Sequence, residues 1–204
     1  MKSCPTVPEE LNRKLFSLAP KMVLASQSPN RLLLLQDAGI DVITAPQDVD
    51  ESIQDRDPEL AVSHIAMKKL ESYVASDSFR KDLIALSCDT MVLFDGKLLG
   101  KPHSRNEARK MLSLFSGKKQ DVISGYSIYI PGKGIFSGND ESTVYFNKLS
   151  KKDIEDYLDT GDFVGAAGAY RIQRSGYTLI DKISGSWTNV VGLPFERIIE
   201  VLSK

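Results

Sequence analysis

The chain has 204 residues, 42% hydrophobic and 26% charged, with a formal net charge of -1, enough length for one good core or a core with a small lobe. That balance excludes a bulk cationic field for nucleic acid, and no apolar run reaches membrane-spanning length. Cys4 and Cys88 are too few for a disulfide framework and lack metal-site spacing, which points to a reducing, cytoplasmic compartment.

Residues 1–20 read as a peripheral extension and 21–204 as one domain. Pro20 and Lys21 break the segment from Leu15 to Ala25, and Glu9 and Glu10 argue against a transit peptide, so no targeting segment is predicted. Met22 to Arg31 predicts a short buried strand, a tight polar turn and an abrupt helix start. Ser28 is a good N-cap, Pro29 fits the first helical position, and Gly39 supplies the stop. Asp41 to Ala45 reads as a strand, followed by the acidic loop Asp48-Val49-Asp50-Glu51. Asp57-Pro58 caps a helix running to about Ser76. Leu83 to Phe94 is a strongly apolar strand, Asp95-Gly96 a hairpin turn, and Lys97 to Leu99 the return.

Ser104-Arg105-Asn106-Glu107 matches a capping box. Ala108, Met111, Leu112 and Phe115 form that helix's apolar face, and Gly117 ends it. Val122 to Ile130 and Glu141 to Asn147 read as strands joined through a turn at Pro131-Gly132-Lys133-Gly134. Ser150 caps a short helix with Ile154, Tyr157 and Leu158 inward, closed by Gly161. Tyr177 to Ile183 is a last strand, and Pro194 opens a C-terminal helix with Ile198, Ile199 and Leu202. Strands and helices interleave throughout, so the class is α/β or α+β: a mixed, twisted sheet with flanking helices. There is no internal repeat and no low-complexity linker.

Three positions conflict with their local pattern. Arg31 sits in the first turn of its helix, where the dipole disfavours a cation. An anion on the free N–H groups, shared by the guanidinium, would reverse that; an ordinary capped turn with a solvated Arg is the plainer reading. Asp89 lies in the middle of a buried strand, costly unless the carboxylate is paired, hydrogen-bonded or on a metal. Lys69 falls between Val62, Ile65, Ala66 and Tyr73 on an apolar stripe. It either snorkels outward or holds its ammonium inward against an anion. Gly100-Lys101-Pro102 could position Lys101 as a point charge, and Glu51 offers a second carboxylate.

The two histidines, His64 and His103, make a Ser-His-Asp system or a His-based zinc site a poor fit. No Gly-x-x-x-x-Gly-Lys-Ser/Thr loop is present, and Gly165-Ala166-Ala167-Gly168 lacks the full dinucleotide fingerprint. The remaining polar set suits magnesium or manganese on carboxylates and a polyphosphate on cations.

Leu24-Ala25-Ser26-Gln27-Ser28-Pro29-Asn30-Arg31, Cys88-Asp89-Thr90, Leu99-Gly100-Lys101-Pro102, Gly168-Ala169-Tyr170-Arg171-Ile172-Gln173 and Asn189-Val190-Val191-Gly192-Leu193-Pro194 occur in one order. Together they resemble the Maf family of nucleoside triphosphate pyrophosphatases, over roughly residues 21–203. The resemblance implies an elongated fold with a central cleft, related to the inosine triphosphate pyrophosphatases, and a cytoplasmic homodimer. It implies hydrolysis of a nucleoside triphosphate to the monophosphate and pyrophosphate with a divalent metal, magnesium or manganese. On it, Asp89 is the catalytic carboxylate. Ser26, Arg31, Lys69, Lys101 and Gln173 line the substrate pocket, and Glu51 with Asp89 serves the metal.

The family divides by substrate at the positions of Asn30, Thr90 and Gln173. A dTTP/UTP branch typically has Arg, Thr and Gln there, and a 7-methyl-GTP branch Trp, Gln and Glu. Thr90 and Gln173 favour dTTP/UTP, and Asn30 departs. Ala166 stands where a Lys is common and Gln120 where a His is common. An inosine/xanthosine-type pyrophosphatase and a non-catalytic nucleotide-binding regulator are the alternatives.

Overall fold

The computed structural model describes residues 4–52 and 57–204, so the first three residues of the extension lie outside the description. Helices α1 (Glu9–Leu18), α2 (Pro29–Asp37), α3 (Pro58–Val74), α4 (Arg105–Phe115), α5 (Lys151–Asp159), α6 (Trp187–Val191) and α7 (Phe195–Leu202) alternate with strands β1 (Lys21–Leu24), β2 (Asp41–Thr44), β3 (Ile84–Phe94), β4 (Lys97–Leu99), β5 (Lys119–Ile130), β6 (Gly134–Phe146) and β7 (Ile180–Ser184). One seven-stranded sheet runs β2-β1-β3-β5-β6-β7, with β4 paired to β3. β1 is parallel to β2 and β3, whereas β3/β4 and β6/β7 are antiparallel. The mixed α/β class is as the sequence predicts.

The chain gathers into two compact units. The first comprises Val7–Thr90, Ser124–Asp140 and Gly192–Lys204; the second comprises the described residues up to Thr6, Met91–Ile123 and Glu141–Val191. In the first, Val23, Ala25, Leu70, Tyr73 and Ala85 form a buried cluster, with Ile43, Phe79 and Tyr129 packed around it. Val23 lies in β1 and Ala25 just past its end, Ala85 pairs with Val23 from the parallel β3, and Leu70 and Tyr73 come from the buried face of α3. In the second, Phe94, Phe115, Phe146 and Tyr170 make a chain of ring contacts with centroids 5.1–5.2 Å apart.

Several boundaries differ from the sequence reading. Glu9–Leu18 is a helix, its Leu15 wholly buried and its face set against α7. The strand predicted from Glu141 starts at Gly134, and the one predicted from Tyr177 starts at Ile180, after a 3-10 turn over Ser175–Leu179. Ser28 precedes α2 as predicted, but its side chain caps nothing; its own N–H donates to Ser26 Oγ at 3.2 Å. Glu107 closes its box one residue early, accepting from the His103 N–H at 2.8 Å, while Ser104 Oγ accepts from the Glu107 N–H.

Candidate active site

Strand β3 organises the site because it outruns β1. Their last registered pair is Leu24 with Leu86, and the Ala25 N–H donates to the Leu86 carbonyl at 2.8 Å. Ser87 to Thr90 therefore continue past the carboxyl end of β1, where the turn Ser26 to Arg31 begins. The carboxyl ends of parallel strands are where α/β sheets bind ligands. Side chains alternate across the strand. Ser87 and Asp89 face α3, and Ser87 Oγ donates to the Ala66 carbonyl at 2.6 Å. Cys88 and Thr90 face Gly192 and α2.

On the α3 side, Lys69 Nζ lies 2.8 Å from Asp89 Oδ1 and 2.7 Å from Glu51 Oε1. Lys69 and Asp89 are buried, and Glu51 is half exposed. The ammonium is held inward, so the snorkelling alternative does not apply; the neighbouring Lys68 is the exposed one. One ammonium thus serves two carboxylates. Helix α3 reaches this depth because β5 has no side chain at Gly125. A Cβ there would lie 2.3 Å from the Val62 carbonyl carbon and oxygen and 2.5 Å from Ser63 N.

On the other side, the Arg31 guanidinium is buried and fully oriented. Nε donates to the Gly192 carbonyl at 2.8 Å, Nη1 to Ser26 Oγ at 2.9 Å and Nη2 to Thr90 Oγ1 at 3.0 Å. All three acceptors are neutral, so this cluster carries a positive charge in excess. Burial of such a charge is costly unless an anion shares it. Thr90 Oγ1 also meets Ser124 Oγ at 2.9 Å, so the threonine is committed to holding Arg31. Burial pushes the Cys88 thiol pKa up; its Sγ lies 2.8 Å from the Gly125 carbonyl and 3.2 Å from that of Gly192.

Gly192 is the functional residue that residue-by-residue reading missed. Its φ is +115°, and a Cβ would lie 3.3 Å from Thr90 Oγ1 and 3.6 Å from Arg31 Nε. Its carbonyl takes the Arg31 Nε bond. The Gly-Leu-Pro run in the sequence was the available signal, since a tight turn with a close backbone approach calls for glycine.

The structure thus sets Ser26, Arg31 and Thr90 on one side of β3 and Glu51, Lys69 and Asp89 on the other, all in the first unit, and Asn30 stands half-buried in the first turn of α2. Lys101 and Gln173 belong to the second unit. Lys101 is exposed, on a loop tied down by a 3.1 Å bond from the Gly168 N–H to the Gly100 carbonyl. Gln173 is half-buried, and its Nε2 is buried with no hydrogen-bond acceptor. Ala166, where a Lys is common in the resembling family, is buried. An open groove of about 770 Å³ in the second unit, lined by Phe94, Lys118, Asp121 and Tyr145, contains none of these residues. Among the described residues no group of three or more His, Cys, Asp or Glu could cage a metal, and no helix is long and apolar enough to cross a membrane.

Comparison with known proteins gives a consistent answer. The family model described as "Maf-like protein" matches residues 21–204. A dTTP/UTP pyrophosphatase of Thermosipho africanus is 37% identical over 89% of this chain and 92% of its own length. One from Pyrococcus furiosus is 40% identical, over 89% of this chain and 94% of its own. A solved nucleoside-triphosphatase / dITP/XTP pyrophosphatase from Mycobacterium abscessus covers 63% of this chain and 75% of that one, at 11% identity and a TM-score of 0.39. That last likeness is too slight to bear on the argument.

Proposed function

Because the chain belongs to the Maf-like protein family, we propose that it hydrolyses dTTP and UTP to the monophosphate and pyrophosphate; the relatives it matches are named dTTP/UTP pyrophosphatases. One observation carries the assignment of the centre: Asp89, buried inside β3, is held through Oδ1 by Lys69 at 2.8 Å. Lys69 fixes the carboxylate and leaves its second oxygen to take the proton of an attacking water. The neighbouring excess of positive charge on Arg31 suits the phosphates, whose negative charge must be neutralised for cleavage between α and β.

The oxygen donors also fit a divalent ion. Glu51 and Asp89 converge on one point of positive charge, and magnesium is commonly held by one or two carboxylates plus substrate phosphates rather than by an all-protein cage. Magnesium or manganese on Glu51 and Asp89 would supply charge neutralisation when bound. Ser26 and Thr90 orient Arg31 in the substrate pocket, and Thr90 belongs with Asn30 and Gln173 to the positions that set base choice. Lys101 adds a cation for the phosphates, and Gln173, with its amide donor unmatched, reads the base. A cytoplasmic location and a homodimeric working form are part of the same proposal.

The deciding experiment is a panel of nucleoside triphosphates with magnesium or manganese, scored for both products. Monophosphate and pyrophosphate should appear one for one, with dTTP and UTP ahead of purine nucleotides in kcat/KM. Orthophosphate as the first product would overturn the reaction. A preference for ITP would favour the inosine-type alternative, and binding without hydrolysis the regulator.

A further inference from the structure

The second unit contains a polar residue that core packing does not explain. Gln120 on β5 is 1% exposed. Its Nε2 donates to Tyr170 Oη at 2.6 Å, and its Oε1 has no hydrogen-bond partner. As placed, the amide is matched on one side only. A buried unmatched polar atom is destabilising, and a leucine of similar size would avoid that cost. The residue therefore does something that its packing alone does not reward.

What it holds is a strained turn. Gly168 and Ala169 have φ of +67° and +65°, and Ala169 is fully buried, so a residue with a side chain occupies the left-handed region in the core. Such conformations persist only where the surroundings impose them. The Gly168 N–H is bound to the Gly100 carbonyl, and the Arg171 N–H donates to Tyr157 Oη at 3.0 Å. Tyr170 lies between these ties. Its ring stands edge-on to Phe146 at 5.2 Å, and its hydroxyl, with a pKa pushed up by burial, stays a neutral hydrogen-bond partner. Two residues after Arg171 comes Gln173, with its buried donor unmatched.

We infer that Gln120 is a positioning residue for base selection: through Tyr170 it fixes the strained turn that aims Gln173. This rests on the reading of Gln173 as the residue that meets the base. A donor set against a base carbonyl discriminates only while its aim is held, and a displacement of about 1 Å can cost an order of magnitude or more.

The test compares the wild type with Gln120→Leu, Tyr170→Phe, their double variant and Gln173→Ala. The readout is the ratio of kcat/KM for UTP to that for GTP, with KM, kcat and Tm determined for each. Gln120→Leu should lower the ratio about tenfold, mainly through KM for UTP, while Tm stays level or rises. Tyr170→Phe should lower it equally, and the double variant no further. Tyr170→Phe keeps the ring on Phe146, so the result stands even if the leucine variant misfolds. Equal losses for both nucleotides, or a ratio within about twofold of wild type, would overturn the positioning role. If Gln173→Ala lowers the ratio while the other two keep it, only this inference falls. If Gln173→Ala keeps the ratio, the base-reading assignment falls first and takes this inference with it.

Discussion

Two ion clusters in this protein use the same chemistry to opposite ends. Between α4 and α5, Arg105 meets Glu155 at 2.8 Å and Asp159 at 2.6 Å, and Arg109 grips Glu155 through both Nε and Nη2. Charges there balance in pairs, and the side chains remain 39–70% exposed. Beside β3, one ammonium serves two carboxylates, with Lys69 and Asp89 at 9% and 12% side-chain exposure. Water screens the first cluster, so its pairs add little individually. The second keeps its Lys69–Asp89 pair out of water, which is weak ground for stability and suits the catalytic role proposed for Asp89. Ion-pair count alone would rank the two clusters the wrong way round.

The largest effect should come from Asp89→Asn, which keeps the shape and removes the base. Turnover should fall by about 10²-fold or more in a steady-state assay, with the fold retained by circular dichroism. Lys69→Met comes next. It strands the Asp89 carboxylate, costing about 3 kcal/mol, or roughly 6–12 °C in Tm, together with most of the activity. Adding Asp89→Asn to Lys69→Met should restore Tm but not turnover, which separates the electrostatic cost from the chemistry.

Glu155→Gln should be the mildest, with kcat/KM unchanged and a small drop in Tm at neutral pH. Its arginine partners hold the Glu155 carboxyl at about 2 against an ordinary value of 4.5. A depressed folded-state pKa stabilises fully above the unfolded value and is lost as pH falls through the folded one. The Tm gap between wild type and Glu155→Gln should thus be constant above about pH 5 and close between 4.5 and about 2. A gap that persists at pH 2 would remove Glu155 as its source.

The sequence shows these features unevenly. Asp89 and Lys69 stand out because each breaks an apolar pattern, and the structure pairs them. Helix α1 escaped notice because its buried contact is a single Leu15 against α7, although the acids Glu9 and Glu10 mark its first turn. The early start of β6 is hidden because Gly134, Ser137, Gly138 and Asn139 surround the lone pair Ile135-Phe136, so the strand there owes more to sheet pairing than to propensity. The role of Gly192 could not be read locally at all. It depends on Arg31 and Thr90 arriving from far away in the chain, and only the fold brings them to its carbonyl. Thr90 illustrates the converse: its place in a motif was legible, but its occupation by Arg31 was not.

Gly125 extends the site to a residue that touches none of the reacting groups. The depth of α3 is set backbone against backbone, so even one methyl group there meets Val62 at 2.3 Å and has no side chain to push aside. Lys69 rides on the same helix, two turns further along. A deep mutational scan should therefore find Gly125 as intolerant as Asp89. Gly125→Ala should lose activity out of proportion to its size, while nearby core positions such as Ile123 accept Val or Leu. An inhibitor programme or a variant-effect predictor that weighed only distance to the nucleotide would overlook that position.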